Sequence, residues 1–259
     1  MNIPVATRFV RYADEGDVAR ITLARPPLNI LTTSMLGELN AALERATERP
    51  ALKALLLDAE GKAFCAGVAV EDHLGDGARP MLDAFHRTFR LLRELGCPTV
   101  AAVQGAALGG GAELATFCDV VLAAETATFG QPEVKVGVFP PIAALHYPTR
   151  IGLPRTLRLL LTGEIVGAAE AERLGLVDRV VAAEALGEAA QTEVGRFRAL
   201  SAPVLRLTKR AVREAYGQPF DQALARLEEL YHCELMTTAD AEEGLRAFVE
   251  KRTPIWRDR

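Results

Sequence analysis

Apolar and polar positions follow two rhythms along the first two thirds of the chain and a single one along the last third. Short β-rich runs bounded by turn residues alternate there with longer segments of helical period. Residues 10–26, "VRYADEGDVARITLARP", predict a hairpin around Asp14, Glu15, Gly16 and Asp17. "SMLGELNAALERATERP" repeats Met35, Leu36, Leu39, Ala42 and Leu43 on one helical face, with Ser34 as the expected cap. "ALKALLLDAEG" is a short continuous apolar run, the signature of a strand buried on both faces. "ARPMLDAFHRTFRLLRELG" returns to helix with Met81, Phe85, Phe89, Leu92 and Leu95 on one side.

The alternation continues with a buried strand in "CPTVAAVQGAAL" and a strand then a turn in "CDVVLAAETATFGQPE". A helix in "LPRTLRLLLTG" ends at Gly163, and "AAEAERLGLVDRVV" reads as a short helix and one more strand. From about Ala183 every segment is helical in period and no strand signal intervenes. The expectation is an α/β core over residues 1–195 and a helical region over 196–259, whose apolar stripes need a surface to cover.

Composition narrows the function classes. Of 259 residues, 49% are hydrophobic and 25% charged, values of a globular chain able to bury its own core. A formal charge of -4 offers no general attraction for nucleic acid or acidic membranes. Four cysteines form no C-x-x-C pair and no ligand spacing with the four histidines, so neither a disulfide framework nor a metal is expected. The opening residues "MNIPVATRFVRYADEGD" lack the basic and apolar regions of a leader. No apolar run reaches the ~20 residues of a bilayer span. A cytoplasmic protein with free thiols is expected.

The densest chemical signal is "GAALGGGAEL", residues 105–114. Three glycines at a strand-to-helix junction expose backbone N–H groups where an anion or a developing oxyanion can bind. Glu113 in the first helical turn then sits beside whatever is held there. A tight turn alone also explains glycines, while the spacings of dinucleotide and phosphate loops are absent. Two further stretches add to the signal. "KAFCAGVAVED" offers another backbone N–H after its Ala-Gly pair, and "TFGQPEVKVGVFPP" carries Glu133 among few polar neighbours. Enolate chemistry on a thioester requires this combination of oxyanion donors and acid–base groups.

Together with "LARPPLNIL", "LLTGEIVGAAEAERLGLVDRVV" and "FVEKRTPIW", these stretches resemble the enoyl-CoA hydratase, or crotonase, superfamily over nearly the whole chain. The resemblance implies a spiral of ββα units, a helical C-terminal region that builds trimers or dimers of trimers, and an acyl-CoA thioester as substrate, with no separate cofactor. Matched by motif position, the N–H groups of Val68 and Gly110 form the oxyanion hole, and Glu113 and Glu133 are the acid–base pair. Glu113 is expected mainly to activate water and Glu133 mainly to protonate the α-carbon. Leu28, Ala66, Val68 and Val70 match positions that hold coenzyme A through backbone groups.

The chain also departs from the common pattern. Ala69 stands where many relatives have an aspartate, with Glu71 and Asp72 further on, and "RPPLN" is a residue shorter than usual and lacks a lysine. "VFPPIAALHYP" replaces a glycine-rich turn, so Pro140, Pro141, Ile142, Leu145 and His146 are expected to shape the acyl pocket. This stretch, "GVAVEDHL" and "MLDAFHRTF" resemble the hydratases that act on cyclohexa-1,5-diene-1-carbonyl-CoA. His86, in the apolar stripe, is expected to be packed. Competing readings are a double-bond isomerase, which typically works with one carboxylate, an RNA-binding relative, and a thiol enzyme using Cys65 or Cys118.

Overall fold

A computed structural model describes residues 9–258. The first eight residues of the segment read for a leader lie outside them. Strands β1 (Val10–Asp14) and β2 (Val18–Leu23) form the expected antiparallel hairpin, closed by Gly16 at φ 81° and its N–H on the Asp14 carboxylate. Helix α1 (Thr33–Thr47) is capped by Thr32, whose hydroxyl accepts from Met35, rather than by Ser34. Asp72 supplements the cap by accepting from both the N–H and the hydroxyl of Thr33 at 2.8 Å.

Next come β3 (Ala54–Ala59), α2 (Ala78–Glu94), β4 (Thr99–Val103), β5 (Ala106–Leu108), α3 (Gly110–Thr116), β6 (Val120–Ala124) and β7 (Thr128–Gly130). A 3-10 turn (Pro132–Val136) leads to α4 (Pro141–Ile151), α5 (Leu153–Thr162), β8 (Ile165–Gly167), α6 (Ala168–Leu174) and β9 (Arg179–Val181). The rest is helical: α7 (Leu186–Arg198), α8 (Ala202–Ala215), α9 (Phe220–Cys233) and α10 (Ala239–Glu250).

The run 97–108, read as one strand, is two strands in different sheets. It breaks at Gly105, φ 61°, where a side chain would run into the Lys62 carbonyl. β4 lies in a six-stranded sheet of order β1-β2-β3-β4-β6-β9, parallel apart from its hairpin, whereas β5 joins β7 and β8. Isolated bridges at Leu31–Val68 and Cys65–Ala107 extend the second layer. Each turn of the chain therefore visits the large sheet, then the small one, then a helix. A continuous apolar run cannot reveal such a break, because both strands are buried.

Alternate residues of the large sheet serve different faces, as the two-residue period of a strand dictates. Ile21, Leu55, Leu57, Ala101, Val103 and Val121 pack in the main core with α1 and α2 residues. Val18, Ala54, Leu56, Val100, Ala102 and Leu122 pack on the other side with Leu186, Ala189, Ala190 and Val194 of α7. The boundary drawn at residue 195 thus runs through a helix that belongs to the core packing. Beyond it the helices are sparsely buried, and Phe220, Phe248, Val249 and Ile255 are exposed. The tail fastens this region: buried Asp240 accepts from the N–H groups of Arg257 and Asp258, and Asp258 pairs with Lys53 beside β3.

Candidate active site

The glycines of "GAALGGGAEL" occupy the β5–α3 junction, and each is required by a different neighbour. Gly109 has φ 52°, and a Cβ there would sit 2.5 Å from Glu133 Oε1. A Cβ on Gly110 would lie 2.7 Å from Val68 Cγ2 and 2.9 Å from the Phe85 ring, and one on Gly111 would collide with the Cys65 carbonyl. The junction thus brings together the three stretches that the sequence singled out.

Gly110 is the first residue of α3, so its N–H has no intrahelical acceptor. Val68 sits opposite Leu31 in a parallel bridge whose bonds run from Leu31 to Gly67 and from Ala69 to Leu31, leaving the Val68 N–H off the ladder. Neither N–H has an acceptor among the described residues. Two backbone donors thus stand without acceptors beside the Phe85 ring, available to an oxygen placed between them.

Glu113 lies inside α3 with 2% exposure. Its Oε1 accepts from the Ala143 N–H at 2.7 Å, in the first turn of α4, where the helix dipole favours negative charge. Burial nevertheless dominates and raises its pKa to about 8, with the nearby Glu133 charge adding to the shift and the Ala143 N–H opposing it. Glu133, in the 3-10 turn, is also raised by burial, opposed by its own N–H and by His73. Burial thus raises both carboxyls, and the Glu133 charge adds to the shift at Glu113.

"VFPPIAALHYP" is the start of α4 rather than a turn. Pro140 is its cap, Pro141 its first residue, and buried Ile142 precedes the N–H that binds Glu113. Leu145 points outward at 70% exposure, so it does not shape the site as the sequence led us to expect. His146 is turned to the end of α3, with Nε2 2.8 Å from the Thr116 carbonyl and its ring against Phe117, and burial lowers its pKa. His86 is partly buried beside Phe85 and makes no hydrogen bond through Nε2 among the described residues.

Of Leu28, Ala66, Val68 and Val70, the first two are joined through their backbones. The Leu28 carbonyl accepts from Ala66, while Leu28 and Val70 remain exposed. Asn29, unremarked in the sequence, ties the segment of Leu28 to the loop after β3: fully buried at φ 51°, its side chain accepts from the Arg25 N–H and donates to the carbonyls of Glu60 and Ala63. Asparagine tolerates that backbone region better than most residues, the one signal that pointed to it. Gln131 and Tyr147, both buried, also escaped notice because an apolar setting hides their polar ends. Burial pushes the Cys65 and Cys118 thiols up to about 12, which leaves no thiolate for nucleophilic chemistry near neutrality.

Comparison with known proteins yields the same grouping. The enoyl-CoA hydratase/isomerase family model matches residues 13–259. A cyclohexa-1,5-dienecarbonyl-CoA hydratase of Thauera aromatica is 39% identical over 245 residues, 95% of each chain. A probable enoyl-CoA hydratase of Mycobacterium tuberculosis is 40% identical over 240 residues, covering 92% of this chain and 93% of its own. The crystal structure of an enoyl-CoA hydratase from Bacillus anthracis superposes with a TM-score of 0.91 at 29% identity, over 97% of this chain and all of that one.

Proposed function

The chain belongs to the enoyl-CoA hydratase/isomerase family and acts as a carbon–oxygen lyase on acyl-CoA thioesters; from that premise we propose that it adds water across a conjugated C=C through an enolate held by Val68 and Gly110. The observation that carries this reading is the convergence of two unpaired backbone N–H groups with two carboxyls, Glu113 and Glu133.

As water attacks the β-carbon, one of its protons passes to Glu113 while the thioester oxygen takes up negative charge between those two N–H groups. Glu133 gives its proton to the α-carbon. A turnover therefore moves a proton from Glu133 to Glu113, and it must return before the next. Glu113, with a pKa of about 8, is mostly protonated at neutral pH, so it must give up that proton before it can accept one from water. Leu28, Ala66, Val68 and Val70 guide the coenzyme A arm, and Pro140, Pro141 and Ile142 bound the acyl end, while His146 braces α4 against the end of α3. A cyclic dienoyl thioester is the finer substrate reading, favoured by the relative from Thauera aromatica. The exposed apolar residues of α9, α10 and the tail support assembly into a homo-oligomer, which sedimentation tests.

The deciding experiment incubates the protein with linear 2-enoyl-CoA and cyclic dienoyl-CoA thioesters in isotopically labelled water. Label on the β-carbon hydroxyl is expected. Migration of the double bond without label would replace hydration by isomerisation, for which one carboxylate suffices.

A further inference from the structure

The return of protons is the step of the cycle that the two carboxyls have not been given a route for. Glu113 is 2% exposed and held against α4, whereas Glu133 is half-buried, so exchange with solvent runs on the side of Glu133. A further titratable group stands on that side. The loop that carries the Val68 donor lies against the end of β5: a Cβ on Gly67 would sit 3.3 Å from the Leu108 carbonyl, and the next residue, Gly109, faces Glu133 Oε1. Ala69, directly after Val68, offers its carbonyl to Nδ1 of His73 at 2.9 Å. A carbonyl only accepts, so Nδ1 carries the hydrogen. Nε2 is the nitrogen left over, without a partner among the described residues, on a half-buried ring. The short 3-10 turn Glu71–His73 is pinned to α1 by Asp72, which accepts from Thr33. The ring is close enough for its charge to favour the ionised form of Glu133. Other proton carriers near the site are shut, since burial pushes Cys65 and Tyr147 up to about 12.

We propose that His73 is the proton relay of the site, carrying protons between solvent and Glu133 after each turnover. Histidine is the side chain that ordinarily gains and loses a proton close to neutrality. In the reset step the Nε2–H bond of the imidazolium breaks as an O–H bond forms on the Glu133 carboxylate. The neutral ring then takes a proton from water, and Glu113 releases its own to solvent as product leaves, so a full cycle consumes none. The charged groups around the ring are Glu71 and Asp72 on its own turn and Glu133 on the turn after β7, with Arg25 acting on Asp72 from before α1. This relay rests on the hydratase reading, with Glu133 as the acid.

The test uses the full-length protein and whichever enoyl- or dienoyl-CoA it hydrates, in dilute buffer. His73→Ala removes the relay and leaves room for a free imidazole. His73→Gln keeps an N–H for the Ala69 carbonyl but carries no proton. We expect both variants to complete a first turnover at the wild-type rate, using the proton already on Glu133, and then to slow about tenfold. Rapid-quench sampling reads this as a burst of one product per site. Because the slowed step follows the chemistry, kcat and KM should fall together while kcat/KM stays within about twofold. Added imidazole should restore the steady rate of His73→Ala and leave the wild type unchanged. An unaltered kcat in both variants would overturn the proposal, since Glu113 would then return its proton to Glu133 without the ring. So would a first turnover slowed as much as the rest, a full rate in His73→Gln, or no response to imidazole, each of which marks a structural role. Absence of hydration by the wild type sinks the underlying reading instead, so the two failures are distinguishable.

Discussion

Glu113 and Glu133 meet in one site but are held in opposite ways. Glu113 lies inside a fully buried helix and is gripped by a backbone N–H of α4. Glu133 rides a 3-10 turn with exposed Val134 and Val136 in it and exposed Val138 and Phe139 after it, and a side-chain amide faces it. A backbone donor survives every substitution but proline, whereas a side-chain donor is lost with its side chain. Burial raises both carboxyls, and the contrast lies in what holds them: a backbone donor at Glu113 and a replaceable side chain at Glu133.

Four results would break or sharpen that contrast. The largest effect is expected from Glu113→Gln, which should cost on the order of 10³-fold in kcat while thioester binding persists. Equilibrium titration with a non-hydratable acyl-CoA checks the second half. Next, Gly109→Ala forces a Cβ against Glu133 Oε1 and strains a position at φ 52°, so a loss of roughly 10²-fold is expected in steady-state rates. Gly137→Ala, equally left-handed at φ 83° but with open space around it, should cost little activity.

The third effect is on pH. If the productive pair holds one proton, activity falls on the alkaline side as the last proton leaves near 8, and a pH–rate profile should show it. The same shift has a stability consequence. The folded pKa of Glu113 lies above the ordinary carboxylate value of 4.5, so the folded protein binds the extra proton and loses stability as pH rises from about 4.5 to about 8. Glu113→Gln removes that dependence and should stabilise the fold by on the order of 3 kcal/mol near pH 7, with almost no gain near pH 4.5, measured by denaturant unfolding. The smallest effect is expected from Leu145→Ala, whose outward side chain leaves hydration rate unchanged and stability within about 0.5 kcal/mol.

Much of this was legible in the sequence, and the residues show why. Periodicity found the hairpin, α1, α2, β3 and α5, because each buries one clear face. It could not divide 97–108, since strands buried on both sides look alike whether or not they change sheets. It also took the start of α4 for a turn, because prolines announce a break more loudly than the eleven helical residues that follow Pro140. The glycines and both glutamates stood out by type and spacing. Asn29, Gln131 and Tyr147 did not, since their roles depend on partners between 16 and 34 positions away or on a backbone angle that composition does not encode.

The fastening of the tail bears on how the protein is handled at the bench. Asp240 is 1% exposed, and its two oxygens are satisfied by the N–H groups of Arg257 and Asp258. Clipping the chain after Thr253, by a protease or by a shortened clone, would strand a carboxylate in the interior and free Lys53 from Asp258 at the head of β3. A few residues at the very end thus work as a buckle, and an affinity tag belongs at the other terminus.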